Sequence, residues 1–425
     1  MSKRILFTTL TLILAWGLLE LGGFFLIWMA RGERFSWSGV QELRANQVND
    51  FDSRNSNRFA QVHPFVGYVE EPRPDSGIRP FGGVRAVPVS EYGYVDDKLP
   101  LQTQGPGRVV IGIAGGSVAC YFAVNGARRL EAELSKDARF AGKQLVFVNL
   151  ALGGYKQPQQ LMTLAYLLSL GAEFDLILNI DGFNEVALDE IENASESFFP
   201  AFPRNWRARI AVSDISLSLT RSKLLLLADE RAELARRFSR SPWRYSIFCN
   251  FVWILLDRRL DHRTSQVLGS FSRSPHPRSP YAVTGPRRDF ATSNDRYEFL
   301  AEIWANSSVQ MNGLCRSNGT RYYHFLQANQ YVAGSKPMRD AEKRVAILQG
   351  HPYGRGVEIG YPLLIRKSEM LKSEGVPFHD LTGIFAGHPE TIYIDNCCHY
   401  NQAGYEIMAE AIARAILSEP ATNTD

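Results

Sequence analysis

A serine hydroxyl becomes a nucleophile when an imidazole takes its proton and an acid holds that imidazole in place. This chain carries all three parts, far apart in sequence. Ser117 follows Gly115-Gly116 at the end of the apolar run Val109-Val110-Ile111-Gly112-Ile113-Ala114, so a strand is expected to end in a tight turn that presents a hydroxyl. Near the C-terminus, Asp395-Asn396-Cys397-Cys398-His399 offers the acid and the imidazole. Asp395 and His399 are four apart, a spacing that brings two side chains to one side of a helical turn. The oxygen of an attacked carbonyl also needs donors aimed at it. The candidates are the backbone N–H groups of Ser117 and Gly154 and the side-chain amide of Asn184. Gly153-Gly154 would let the backbone approach a ligand closely, although either glycine alone serves equally as a turn residue.

The elements that must position these groups follow from hydrophobic patterning. From Arg108 onward, short apolar runs alternate with helical segments. Strands are predicted at Val109–Ala114, Leu145–Leu150 and Leu176–Ile180, with helices at Ala127–Asp137 and Pro158–Leu170. That alternation implies parallel pairing with right-handed crossovers, and such sheets place ligands beyond the carboxyl ends of their strands. Ser117, Gly154 and Asn184 each fall just past one of those ends. After an interruption at 189–295, helices are predicted at Tyr297–Leu314, Pro362–Ser373 and Gln402–Ser418, and strands at Tyr322–Leu326 and Ile392–Ile394. Tyr405, Met408, Ile412 and Ile416 form one stripe of the last helix, so its packing should fix His399 just before it.

In this order, Gly115-Gly116-Ser117, Asn149 with Gly154 five residues on, Gly182-Phe183-Asn184-Glu185 and Asp395 to His399 resemble the four sequence blocks of the SGNH/GDSL hydrolase superfamily. The resemblance covers roughly 108–190 and 297–417 and leaves the interruption unmatched. It implies an α/β protein with a three-layer α/β/α, flavodoxin-like fold and a parallel sheet. It further implies Ser117 as nucleophile, His399 as base, Asp395 as the acid that orients it, and Ser117, Gly154 and Asn184 as the oxyanion hole. Members act on esters, often carbohydrate acetyl groups or lipids, and need no metal or cofactor. Two departures stand out. Gly116 occupies the place of the usual Asp before the serine, and the final acid and base are four apart where three is usual. The second keeps Asp380, in His379-Asp380-Leu381, open as the alternative acid. Cys120, three residues past Ser117, reads as a small packing residue rather than a nucleophile.

Ile5 to Ala30 is apolar apart from Thr, Trp, Gly and one acid, Glu20, and is long enough to span a bilayer. Lys3 and Arg4 precede it, which favours a cytoplasmic N-terminus and an exported bulk domain, although Arg31 and Arg34 weaken the asymmetry. An uncleaved signal anchor is the expected reading over a cleaved signal peptide or a buried amphipathic helix. The stretch exceeds a usual signal h-region, and Trp28-Met29-Ala30 matches the small-x-small cleavage pattern poorly. Glu20 is expected to pair with a partner helix or to be protonated.

The expected organisation is therefore an anchor at 1–30, a stalk and irregular segment at 31–106, and a hydrolase-like domain at 107–420 with a helical insertion at 189–295. Within the insertion, helices are predicted at Lys223–Phe238 and Trp243–Leu256. The apolar stretch Ser246–Leu256 is too short to span a membrane. A buried helix, a lid over an acyl-binding cleft and a patch dipping into the bilayer all remain open for it.

Composition narrows the function. The 425 residues are 45% hydrophobic, and 47 basic against 44 acidic residues leave a formal charge of +3. No strong field draws such a chain to nucleic acid. The eight histidines have no partners at zinc spacing, so no metal is expected. The five cysteines are an odd count, and export would permit disulfides. Whether Cys397 or Cys398 pairs with Cys315 or Cys249 stays open. The function expected is a membrane-anchored serine esterase with an extracytoplasmic catalytic domain, acting on acyl esters, acetyl foremost, of an envelope or extracellular polysaccharide. A polysaccharide O-acetyltransferase using the same triad, supplied by a transmembrane acyl-donor partner, is the first alternative. A lipid ester substrate and a non-catalytic glycan-binding envelope protein are the others.

Overall fold

The computed structural model describes residues 3–31, 34–56, 60–78, 86–194, 198–210, 215–273 and 281–419. They divide into two compact units, the larger within Ala60–Arg209 and Ser279–Asp425, the smaller within Met1–Phe59 and Ile210–Arg278.

Two antiparallel ribbons open the larger unit. β1 (Ala60–His63) pairs with β2 (Gly67–Glu70), and β3 (Arg73–Ile78) with β4 (Val87–Val89). Five parallel strands follow: β5 (Arg108–Gly115), β6 (Gln144–Asn149), β7 (Leu176–Asp181), β8 (Arg321–Leu326) and β9 (Phe378–Asp380). Their spatial order is β6-β5-β7-β8-β9. Every residue of β7, and every residue of β5 after Arg108, is buried, as strands covered on both faces must be. The helices sort into two groups that pack among themselves. Ser117–Asn125, Ala127–Leu134 and Gln402–Ser418 make one layer, and Gln159–Ser169, Ser293–Ser317 and Pro352–Ser373 make the other. The result is a three-layer α/β/α fold with doubly wound, flavodoxin-like strand order. In such sheets the crevice lies where the winding reverses, here between the carboxyl ends of β5 and β7.

The predicted strands β5 to β8 agree with the structure to within a residue at each end. Ile392–Ile394 is a correction. Tyr393 makes one isolated antiparallel bridge, to Tyr400, and the backbone N–H groups of Ile392 and Tyr393 bind the Glu342 carboxylate. The fifth strand is instead Phe378–Asp380, three residues long and too short to carry an alternation signal.

In the smaller unit, the helix Lys3–Arg31 is long and apolar enough over Lys3–Met29 to cross a membrane or to serve as a signal sequence. A second helix, Trp37–Ser56, lies where irregular structure was expected. Its sequence is polar, and Val40 and Arg44 are its buried residues among those described, so it lacks the apolar stripe that would have announced it. Helices Ile215–Arg240 and Ile247–Arg273 complete the unit around Ile27, Val40, Ala235, Trp253 and Ile254. Glu20 accepts hydrogen bonds from the Ser246 hydroxyl and, at 2.5 Å, from the Ile247 N–H. It thereby caps the positive end of Ile247–Arg273. The interruption at 189–295 is thus divided: residues 210–278 belong with the first 59 residues, and its two ends belong with the sheet.

Candidate active site

The chain can reach Ser117 only through glycine. Gly115, at the end of β5, has φ +141°, and a Cβ there would stand 2.0 Å from the Ile180 carbonyl oxygen. Ser117 is the first residue of the helix Ser117–Asn125. Its N–H lies in the helix's first turn, where intrahelical acceptors are absent, and it has no backbone partner among the described residues. The side chain is partly exposed.

The structure brings His399 and Asp395 to this serine. His399 Nε2 lies 2.7 Å from Ser117 Oγ, and His399 Nδ1 lies 2.5 Å from Asp395 Oδ2. A carboxylate only accepts hydrogen bonds, so Nδ1 carries the proton and the Nε2 lone pair faces the serine hydroxyl. Asp395 Oδ1 in turn accepts from the N–H groups of Cys397, Cys398 and His399 at 2.9, 3.1 and 3.3 Å. Burial alone would raise the Asp395 pKa. The hydrogen bond and charge of His399, joined by these N–H groups, outweigh it and hold the carboxyl below its usual range. Asp380, the alternative acid, sits at the end of β9 and accepts from the Thr382 N–H.

The turn bearing Asp395 is held from outside. Gln330 donates to the Asp395 carbonyl, Asn329 to that of Cys397 and Tyr331 to that of Asn396, at 3.0–3.1 Å. A fully buried ion pair, Lys336–Glu342 at 2.7 Å, supports the same loop through the two Glu342 bonds to residues 392 and 393. Asn401 caps the final helix by accepting from the Gly404 N–H. Packing of that helix on the Ser117–Asn125 layer then seats the imidazole, whose ring lies 4.9 Å from that of Tyr121.

Asn184 follows β7 on the short helix Phe183–Ala187, entered through Gly182 at φ +120°. Its Nδ2 donates to the Tyr155 carbonyl at 2.7 Å, leaving the second amide hydrogen uncommitted among the described residues. It also packs directly over Gly116, where a Cβ would fall 2.2 Å from Nδ2. A side chain at position 116, just before Ser117, would therefore displace the Asn184 amide. Gly154 sits one residue before Tyr155 at φ +83°, and its N–H has no backbone partner among the described residues. Asn149 supports this loop by accepting from Ala151 N–H and donating to the Val95 carbonyl, and the Tyr68 hydroxyl donates to the Gly153 carbonyl.

Sequence reasoning missed several supporting groups. Arg204 packs on Gly154, whose Cβ would fall 2.4 Å from its Cδ, and pairs with Glu192 at 2.7 Å. Glu185 accepts from the N–H groups of Gly182 and Gln157 and from the Gln160 amide. Burial, with the charge of Asp181 behind it, pushes its carboxyl up to about 8. The Gly-x-x-Glu spacing after β7, a capping-box pattern, was the available signal. Lys336 and Glu342 gave none, since both are ordinary surface types by composition.

A second serine, histidine and acid also meet. Ser308 Oγ lies 2.7 Å from His324 Nδ1, and His324 Nε2 lies 2.8 Å from Asp181 Oδ1. All three are sealed in the core, with Trp304 donating to the same Asp181 oxygen at 2.6 Å. No ester can reach Ser308 there, so this network braces β7 and β8. Cys120 is also buried, and burial pushes its thiol up to about 12, which leaves it no nucleophilic character at neutral pH.

All five cysteines are free thiols, so neither Cys397 nor Cys398 pairs with Cys315 or Cys249. Cys397, Cys398 and His399 offer donor atoms within 4.8 Å of one another. Both imidazole nitrogens are already engaged by Asp395 and Ser117, so a metal there would have to break one of those bonds.

No protein-family model and no curated protein sequence matches this chain. Among solved structures, a GDSL-like lipase from Bacteroides thetaiotaomicron is similar at 10% sequence identity and a TM-score of 0.34, covering 75% of this chain and 92% of that one.

Proposed function

We propose that the chain is a membrane-anchored serine esterase whose exported unit removes short acyl groups, acetyl foremost, from an envelope or extracellular polysaccharide. The observation that carries the reading is the line of contacts from Ser117 Oγ through His399 to Asp395, 2.7 and 2.5 Å long, at the switch point of the sheet. In this reading His399 takes the hydroxyl proton as Ser117 attacks the acyl carbon. The imidazolium that forms is stabilised by Asp395. The negative oxygen is met by the second amide hydrogen of Asn184 and the N–H groups of Ser117 and Gly154. His399 returns its proton to the departing sugar oxygen, and water repeats the sequence on the acyl-serine. The apolar N-terminal helix supports the anchor, and Lys3 and Arg4 before it support export.

The full chain in detergent should hydrolyse short-chain aryl esters, acetate fastest, and should release acetate from acetylated glycans. Ser117→Ala should abolish both. Equal rates in the two proteins would refute the reading. Acyl groups appearing on an added glycan in place of free acid would reassign the same acyl-serine to transfer.

A further inference from the structure

The smaller unit contains a cleft of about 820 Å³ whose lining is basic and aromatic: Arg44, Arg236, Arg240 and Arg244, with Trp37 and Tyr245. Arginine is the side chain suited to phosphate, since its planar fork presents paired donors. Arg44 is only 6% exposed. One of its terminal nitrogens donates to Asn250 Oδ1 at 2.7 Å, but its Nε has no partner among the described residues. A buried cation with an open donor is costly unless an anion completes it.

Among the described residues, no carboxylate completes Arg44. Arg236 shares Glu233 with Arg237, at 3.2 and 2.7 Å. Arg244 donates to the Ser239 carbonyl and the Tyr245 hydroxyl, both neutral. Among the described residues, Arg44, Arg240 and Arg244 have no carboxylate within ion-pair distance. Burial, and the neighbouring charge of Arg244, lower the Arg44 pKa.

The position of the cleft argues for the source of the anion. Its walls are the helices Trp37–Ser56 and Ile215–Arg240 and the turn before Ile247–Arg273. Those helices, together with Ile247–Arg273, clasp Ile27, near the C-terminal end of the apolar helix, through Val40, Ala235 and Trp253. Arg44 is four residues from Val40 and lies over the rings of Phe238 and Trp253 at 5.3 and 5.4 Å. Trp37 and Tyr245, which line the cleft, are exposed, and both are residue types that gather at headgroup depth. Phosphates of a bilayer lie just beyond its hydrocarbon, where a helix of this length emerges.

We propose that this cleft binds a phosphate-bearing anion, with a phospholipid headgroup beside the apolar helix as its source. The site is independent of Ser117 and of any ester chemistry there.

The test uses the full chain in non-ionic detergent, with dihexanoyl phosphatidic acid and dihexanoylglycerol, which differ only in the phosphate, as probes for native mass spectrometry. Phosphatidic acid should bind one to one, and dihexanoylglycerol at least about tenfold more weakly, since a charge-assisted hydrogen bond is worth roughly that factor or more. Arg240→Gln and Arg244→Gln should each weaken phosphatidic acid about tenfold on the same ground. Arg44→Gln should do so more strongly, and the exposed Arg240 keeps the test decisive if that variant misfolds. Ser117→Ala should bind like the unaltered protein. Full competition by inorganic phosphate would uphold the site with a soluble anion as its ligand. Lipid retained against phosphate would uphold it with the headgroup. Equal binding of the two lipids, or equal binding by the arginine variants and the unaltered protein, would overturn the proposal.

Discussion

Replacing Gly116 by alanine should cripple the site without removing any group that does chemistry. A Cβ at this position would stand 2.2 Å from the Asn184 amide nitrogen and 3.2 Å from the Tyr155 carbonyl oxygen. Non-bonded heavy atoms rest about 3.5 Å apart, so the amide must retreat by about 1 Å. The Gly116 backbone, at φ −88° and ψ −152°, lies outside the left-handed region, so the collision with Asn184 is the principal disturbance. A misplacement of about 1 Å can cost on the order of 10²-fold in rate, and outright loss of an oxyanion donor costs about 10²–10³-fold in kcat. Gly116→Ala should therefore lower kcat on an aryl acetate by about 100-fold with little change in KM, the signature of an interaction made in the transition state. Asn184→Ala removes the donor and the obstacle together. In that background Gly116→Ala should cost almost nothing more, giving a strongly non-additive cycle. Initial rates for the four proteins, with circular dichroism to verify folding, measure this. A Gly116→Ala protein within about threefold of the original, where about 100-fold is expected, would refute the reasoning. So would the full penalty reappearing on top of Asn184→Ala.

Asp395→Asn can keep its Oδ1 bonds to the turn but presents an N–H to His399 Nδ1, which forces the proton to Nε2 and leaves no base for Ser117. kcat should fall by about 10³–10⁴-fold with the fold intact, read by aryl acetate kinetics. Glu185 has a folded pKa of about 8, above its unfolded value, so its contribution to stability is full at acid pH and is lost as pH rises from the ordinary carboxylate range through about 8. Thermal unfolding from pH 5 to 9 should therefore decline more steeply in the original protein than in Glu185→Gln, and parallel curves would contradict this. Lys336→Met leaves Glu342 buried without its cation, which should cost about 3–5 kcal/mol by denaturant titration, the scale for half of a broken buried pair. Cys120→Ala should leave kcat within about twofold, because a buried protonated thiol is inert, and a large loss of activity would reopen its role.

The sheet was legible because its strands are continuous apolar runs separated by helical segments, and because glycines mark the turns after β5 and β7. Ser117 and Asn184 inherited that clarity: each is the first chemically useful side chain beyond a strand end. His399 was placed by the stripe Tyr405, Met408, Ile412 and Ile416, all of which are buried in the structure. The rest depended on contacts that no local pattern records. In sequence, position 116 shows only that the usual Asp is replaced, whereas the structure places Asn184 against it. The choice between Asp395 and Asp380 needed the turn in which one Asp395 oxygen gathers three backbone N–H groups. Helix Trp37–Ser56 was hidden by its polarity, and the three residues of β9 were too few to show a period. The clasp of residues 210–278 on the N-terminal helix joins segments some two hundred positions apart, a pairing that hydrophobic periodicity cannot encode.

Mass spectrometry after exposure to an aryl phosphonate tests the central assignment most directly, because only an activated serine hydroxyl displaces the leaving group at neutral pH. One adduct per chain, mapped to Ser117 and lost in both Ser117→Ala and His399→Ala, is the predicted result. An unlabelled Ser117 in a chain that still hydrolyses esters would contradict it.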